Sequence, residues 1–192
     1  MKNDFKLCPM CGSTKIENHG NRKWICPDCG FDLYNNVATA VGVIIYDKNK
    51  NILFEVRAKE PRKGFLAVPG GFVDFEESAE EAVIRECREE IGVPVEGTKF
   101  LCTAPNTYVY KNIEYKTCDI FFTAKLPSQY DSIDDFIKTL HAEKSEVVAF
   151  ESHKVSSQED IENLPLAFES ARITINNWLK KMHDENIEVH AL

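Results

Sequence analysis

The segment from Gly71 to Val93 constrains the fold of this chain more than any other part of its sequence. It reads GFVDFEESAEEAVIRECREEIGV and places Glu86, Glu89 and Glu90 on one side of a predicted helix. Residues three and four positions apart are neighbours on a helix, so these carboxylates are expected to converge. Like charges at this spacing repel one another. Their placement is explained if they bind a hard divalent cation such as Mg²⁺ or Mn²⁺, which takes oxygen ligands. The segment is therefore predicted to be a metal-binding platform.

The residues that flank these carboxylates support a helix with one apolar face. Pro69-Gly70-Gly71 provides a backbone that turns sharply and approaches a ligand closely. Either Asp74 or Ser78 can cap the helix, and Gly92 can end it in a left-handed conformation. The predicted apolar face consists of Ala79, Ala82, Val83 and Cys87.

The segment resembles the Nudix box, whose pattern combines fixed residues with fixed spacing. The pattern is Gly, five residues, Glu, seven residues, then Arg-Glu-hydrophobic-any-Glu-Glu-any-Gly-hydrophobic. The fixed positions are filled by Gly71, Glu77, Arg85, Glu86, Glu89, Glu90 and Gly92, with Cys87 and Val93 at the hydrophobic places. A solvated Glu-rich helix is the alternative, but it explains neither the flanking glycines nor the placement of Arg85.

Two CxxC-Gly knuckles precede this segment, at residues 8–12 and 26–30. Two pairs of thiolates at this spacing suit a tetrahedral structural Zn²⁺, and the predicted ligands are Cys8, Cys11, Cys26 and Cys29. Disulfides would need an oxidising compartment, for which the sequence shows no leader. The predicted domains are a zinc ribbon at residues 1–34 and a Nudix hydrolase domain at residues 37–192. Trp24 is expected to pack the ribbon, with stacking on a nucleic-acid base as the alternative.

The remainder of the chain carries strand signals and one terminal helix. Residues 37–47 form an apolar, β-rich run, and residues 51–57 can pair with it across a polar turn. Further strands are predicted at residues 98–103, 108–110, 114–124 and 145–150. The apolar stripe of residues 167–182 has helical spacing and is expected to pack on the sheet. Three more cysteines in apolar contexts are predicted to be buried thiols: Cys87, Cys102 and Cys118.

The resemblance implies an α+β fold: a Nudix-type α/β/α sandwich with a mixed sheet, preceded by a small zinc ribbon. The pairing of ribbon and box is similar to the branch of NADH, FAD and ADP-ribose pyrophosphatases. It implies metal-dependent hydrolysis of the pyrophosphate bond of a nucleoside diphosphate linked to another moiety. A non-catalytic nucleotide-binding sensor is the alternative, although such a protein would be expected to lose box carboxylates. The NADH pyrophosphatases carry Ser-Gln-Pro-Trp after the box, whereas residues 104–108 read APNTY here.

The same resemblance implies roles for individual residues. The metal ligands would be Glu86, Glu89, Glu90 and the carbonyl of Gly70. Glu77 and Arg85 would support them, since a guanidinium cannot act as a base near neutral pH. The general base would be Glu146, with Glu143 as the runner-up and Glu89 as a further candidate. A stacking surface for the substrate is predicted at Tyr108, Tyr110 and Tyr115, with simple sheet packing as the alternative.

The net charge and the lack of long apolar runs limit the classes of partner that the protein is expected to bind. A formal net charge of −8 argues against broad nucleic-acid binding and against an RNA-directed role for the ribbon. No apolar stretch is long enough for a membrane span and no leader precedes the ribbon, so a cytoplasmic protein is expected. The expected partner is a small nucleotide substrate, and the resemblance makes a homodimer possible.

Overall fold

A computed structural model describes residues 5–142 and 145–190 of the chain. The described residues divide into two compact units. The first contains residues 5–38 and 107–117, and the second contains residues 39–106 and 118–190. None of the helices in the described part has the length and apolar character that crossing a membrane requires.

The first unit contains a three-stranded antiparallel sheet. Its strands are β1 (Glu17–His19), β2 (Lys23–Ile25) and β3 (Asp32–Tyr34), with β2 in the centre. Trp24 on the central strand is 3% exposed, and its ring lies 4.9 Å from that of Phe5 in an edge-on contact. The tryptophan therefore packs the ribbon, as expected from the sequence.

A six-stranded sheet forms the centre of the larger fold. Its strands are β4 (Ala38–Tyr46), β5 (Asn51–Arg57), β6 (Leu66–Ala67), β7 (Lys99–Tyr110), β8 (Ile113–Lys125) and β9 (Val147–Lys154). The order is β6-β5-β4-β8-β7, and β9 also pairs with β5. Strand β5 is antiparallel to β4, β6 and β9, while an isolated bridge between Leu66 and Leu166 is parallel.

Helices cover both faces of this sheet, which gives the expected α/β/α sandwich. The helices are α1 (Ala79–Glu90), α2 (Ile133–Ile137), α3 (Gln158–Asn163) and α4 (Glu169–His190). Successive residues of a strand point to opposite faces. Val43 and Ile45 of β4 accordingly pack with the buried face of α1, whereas Ile44 between them packs with Trp178 of α4.

The structure corrects several boundaries and one burial prediction. The strand segments predicted at residues 98–103 and 108–110 are parts of the continuous strand β7, which includes Pro105. The turn into β8 is formed by Lys111 and Asn112, with φ of 45° and 69°, the left-handed pair typical of a two-residue hairpin. Of the three cysteines predicted to be buried, Cys87 is buried and Cys102 is half-buried, whereas Cys118 is exposed, so the prediction was wrong for Cys118. Alternation on β8 turns Thr117 and Asp119 inward and Cys118 outward.

Candidate functional site

Helix α1 begins and ends at the residues that the sequence pattern indicated. Ser78 is the N-cap: its hydroxyl accepts from the amide of Glu81, and the Glu81 carboxylate accepts from the amide of Ser78. This reciprocal pair is a capping box, which fixes the first turn. Gly92 follows the last turn with φ of 79°. The helix is thus anchored at both ends, and its carboxylates project from a rigid element.

The two glycines before α1 bring the backbone close to its carboxylates. The loop is bonded to β4, because the amide of Val41 donates to the Gly71 carbonyl at 2.8 Å. Gly70 has φ of 145°, and a β-carbon there would lie 2.1 Å from the Val41 carbonyl oxygen. A β-carbon on Gly71 would lie 2.5 Å from a carboxylate oxygen of Glu86. At Gly70 the close contact is with backbone, so only glycine fits there, whereas a side chain at Gly71 would displace the Glu86 carboxylate.

The three glutamates of the predicted metal platform have different surroundings. Glu90 accepts a 2.7 Å hydrogen bond from the amide of Gly70. The Glu86 side chain is 13% exposed, whereas that of Glu89 is 52% exposed. Glu86 and Glu90 therefore face the glycine loop, and Glu89 faces solvent. Within the described residues, these three carboxylates do not form a group whose oxygens all lie within 4.8 Å of one another.

Arg85 holds the acidic side chains in place. Its guanidinium donates twice to Glu77, at 2.6 and 3.1 Å, and once to Glu86, at 2.8 Å. It also reaches Glu89 at 3.3 Å and the carbonyl of Phe72 at 3.0 Å. These hydrogen bonds keep the pKa of Glu77 below its usual value. The two-point contact with Glu77 needs the planar fork of an arginine, which a lysine does not have.

Glu55 is a buried carboxylate in this region that the sequence reading missed. It lies in β5, between Phe54 and Val56, and is 4% exposed. Its carboxyl group lies beside that of Glu90, and Oε1 of Glu55 has no hydrogen-bond partner. The signal that could have revealed it is a lone acidic residue inside the apolar run of residues 51–57.

The buried carboxylates hold protons more tightly than exposed ones. Burial, reinforced by the negative charge of Glu86, raises the pKa of Glu55 to about 8. Burial and the charge of Glu55 likewise raise the pKa of Glu90 well above its usual value. Burial also raises the pKa of Glu86, despite its hydrogen bond from Arg85. Without a cation, these groups therefore tend to keep protons, and a bound cation would favour their ionised, ligating form.

The candidate general bases are less closely tied to the cluster. Glu146 forms an exposed ion pair with Lys59, and its backbone carbonyl accepts from the amide of Ala58 at 2.7 Å. Its charge contributes to the raised pKa values of Glu55, Glu86 and Glu90. Glu143, the alternative base, lies outside the described residues.

The three tyrosines of the predicted stacking surface belong to the first unit. Tyr108 and Tyr110 lie two positions apart in β7, and their ring centroids are 6.5 Å apart. They therefore share a face of the strand, as alternation predicts. Tyr115 is 38% exposed on β8. Their role in substrate binding stays a prediction.

The four ribbon cysteines bring their sulfurs together. All four Sγ atoms lie within 4.8 Å of one another, and the pairs Cys8–Cys29 and Cys11–Cys26 are 3.7 Å apart. A tetrahedral Zn²⁺ with Zn–S distances of about 2.3 Å places its sulfurs roughly 3.8 Å apart. The amides of Gly12 and Gly30 close the two knuckles by donating to the carbonyls of Cys8 and Cys26. The donor set and its spacing therefore fit zinc.

The carboxylate cluster on α1 fits a hard divalent cation because of the type of ligand it offers. Its donors are carboxylates and a glycine-loop backbone, the ligand types that Mg²⁺ and Mn²⁺ prefer. One buried carboxylate oxygen, Oε1 of Glu55, lacks a protein partner. Glu90 and Glu86 accept from separate donors, the Gly70 amide and Arg85. A cation between them would bind oxygens of both.

Comparisons with known proteins agree with this geometry. Residues 37–174 match the family profile of the NUDIX domain. The chain is 30% identical over 107 residues to the NAD-capped RNA hydrolase NudC of Vibrio atlanticus, covering 55% of this chain and 38% of that protein. It is 48% identical over 63 residues to the ADP-ribose pyrophosphatase of Methanocaldococcus jannaschii, covering 33% of this chain and 37% of that protein.

The fold is also found in solved structures. The NUDIX hydrolase of Nitrosomonas europaea superposes with a TM-score of 0.61 at 21% identity, covering 94% of this chain and 93% of that one. The chain spans less than two fifths of the length of the two curated relatives described above.

Proposed function

The chain belongs to the NUDIX domain family, and on this basis we propose that it hydrolyses the pyrophosphate bond of a nucleoside diphosphate linked to another moiety. The observation that carries the proposal is the Arg85-centred acidic cluster against Gly70 and Gly71. A chain that used this fold for packing alone would have no need for buried carboxylates beside a glycine backbone. A sensor that only binds nucleotides would not need every acidic position of the box.

In this proposal, Glu86, Glu89, Glu90 and the carbonyl of Gly70 hold one or more Mg²⁺ or Mn²⁺ ions. When bound, such cations neutralise phosphate charge and lower the pKa of the attacking water. The chain's own contribution is to orient these ligands before substrate arrives. Glu77 fixes the Arg85 guanidinium, which in turn fixes Glu86, so the ligand positions depend on contacts made one residue further out.

Either Glu146 or Glu89 accepts the proton of the attacking water in this proposal. Glu89 is exposed and lies on the same helix as the other box carboxylates. Glu146 is paired with Lys59, and Glu89 lies 3.3 Å from the Arg85 guanidinium. Both candidates are therefore paired with a basic side chain, and both stay in this proposal.

The names of the relatives and one departure in the sequence support the proposed substrate class. The names of the two relatives specify NAD-capped RNA and ADP-ribose, and NAD and ADP-ribose both contain an adenosine diphosphate unit. Residues 104–108 lack the Ser-Gln-Pro-Trp pattern of NADH pyrophosphatases, which argues against NADH as the preferred substrate. We propose ADP-ribose, nucleotide sugars or FAD as better candidates, with Tyr108, Tyr110 and Tyr115 stacking on an aromatic part of the substrate.

We also propose that Zn²⁺ in the ribbon is structural. Four cysteines complete a tetrahedral ligand set and leave no open position for a water or a substrate. So small a lobe, with three-residue strands, has few apolar side chains to stabilise it without a metal.

The proposal is tested by measuring turnover of ADP-ribose, FAD, NADH and nucleoside triphosphates with Mg²⁺ or Mn²⁺. The wild-type chain is compared with Glu89→Gln and with the control Glu96→Gln, an exposed glutamate after α1. We expect hydrolysis of at least one diphosphate-linked substrate, retained in Glu96→Gln and reduced at least a hundredfold in Glu89→Gln. Nucleotide binding without turnover in all three proteins would favour the sensor alternative and contradict the proposal.

A further inference from the structure

Glu55 is an acidic residue in a strand whose neighbouring side chains are apolar and buried. Its neighbours Leu53 and Phe54 are fully buried. Alternation places Glu55 on the same face of β5 as Leu53, and Leu53 packs in the cluster that contains the apolar side of α1. The carboxylate thus points to the side of the sheet covered by the acidic helix, where it meets Glu90.

Among the described residues, no basic side chain forms an ion pair with the Glu55 carboxylate. Arg57 acts on it at a distance, but the Arg57 guanidinium donates to the Pro61 carbonyl and lies over the Phe168 ring, 5.0 Å from its centroid. Oε1 of Glu55 has no hydrogen-bond partner although the residue is 4% exposed. A buried carboxylate oxygen without a partner is costly, and an apolar side chain would fit the strand better. The stability of the fold therefore does not explain this residue.

We propose that Glu55 is a further carboxylate of the divalent-cation site, acting with Glu90 as a pair that holds a cation from the β5 side. This inference rests on the proposed metal-dependent function. The cluster on α1 supplies carboxylates from one helix, and Glu55 adds one from the sheet beneath it. A cation would bind the Glu55 oxygen that lacks a protein partner. The neighbouring Glu90 would bind the same cation from helix α1.

Direct binding of Mn²⁺, without substrate, tests this assignment. Electron paramagnetic resonance of free Mn²⁺ gives its affinity for the full chain and for the variants Glu55→Gln, Glu86→Gln and Glu96→Gln. We expect Glu55→Gln and Glu86→Gln to weaken Mn²⁺ binding by about 10- to 100-fold. Glu96→Gln, in the exposed loop after α1, is expected to bind as the wild type does.

Thermal unfolding without metal provides a second readout. Glu55→Gln removes a buried carboxylate beside Glu90, so we expect its midpoint to be equal to or above that of the wild type. Glu55→Asp keeps a carboxyl group but shortens the side chain, and it is also expected to weaken Mn²⁺ binding. It serves as the test variant should Glu55→Gln fail to fold.

The outcomes separate the two proposals. Wild-type Mn²⁺ affinity in both Glu55 variants, with weakened binding in Glu86→Gln, would overturn the role of Glu55 and leave the metal site intact. Weak binding in the wild type and no further change in Glu86→Gln would overturn the metal site itself, and with it the role of Glu55.

Discussion

Replacement of Arg85 by alanine is the most informative structural perturbation of the acidic cluster. It removes the two-point contact with Glu77 and the 2.8 Å hydrogen bond to Glu86. Loss of one partner from a buried ion pair costs about 3–5 kcal/mol. The Arg85 side chain is 27% exposed, and those of Glu77 and Glu86 are 16% and 13% exposed, so water compensates in part. We expect a loss of about 2–3 kcal/mol in the free energy of unfolding.

Urea unfolding measures this loss, and two variants calibrate it. Arg85→Lys keeps the charge but not the planar fork, so we expect about 1–1.5 kcal/mol. Arg88→Ala, at an exposed position of the same helix, should cost less than about 0.5 kcal/mol. For a chain of this length, the Arg85→Ala loss corresponds to roughly 4–12 °C in the melting midpoint. The reasoning is refuted if Arg85→Ala and Arg88→Ala unfold at the same urea concentration.

Three further predictions concern other parts of the fold. Gly71→Ala places a β-carbon 2.5 Å from a Glu86 oxygen, so Mn²⁺ affinity should fall at least tenfold while stability changes by less than about 1 kcal/mol; wild-type affinity by titration calorimetry would contradict this. Burial alone would raise the pKa of Asp47, but hydrogen bonds from Asn51 and nearby backbone amides keep it below its usual value. Its stabilising effect is therefore present above pH ~4 and is lost as the pH falls through the lowered pKa. Asp47→Asn should lose about 1–3 kcal/mol at pH 7 in urea unfolding, and the difference from the wild type should shrink in acid. Removal of zinc by a chelator should unfold the ribbon and expose Trp24, which is 3% exposed, giving a red-shifted fluorescence spectrum; an unchanged spectrum after zinc release would argue against a structural metal.

Local patterns in the sequence were sufficient to predict most elements. The bounds of α1 follow from the Ser78 cap, the apolar spacing and Gly92, all within one segment. Strand β5 has the predicted limits because its apolar run lies between polar segments of the chain. The cysteine knuckles also bring their sulfurs together as expected, because the spacing within each pair is local.

Features that depend on distant parts of the chain could not be predicted. The position of Glu55 beside Glu90 depends on the packing of α1 over β5, which no local pattern specifies. The ion pair between Lys59 and Glu146 joins positions far apart in sequence. The continuity of β7 through Pro105 likewise depends on its place at the end of the strand order, where an edge position tolerates a residue without an amide hydrogen.

Anomalous diffraction from crystals grown with Mn²⁺ tests the central claim most directly, because it locates the ion without reference to turnover. The account predicts a Mn²⁺ peak about 2.1–2.3 Å from oxygens of Glu86 and Glu90. Crystals that show no Mn²⁺ beside these glutamates at a saturating concentration, or show it elsewhere in the chain alone, would contradict it.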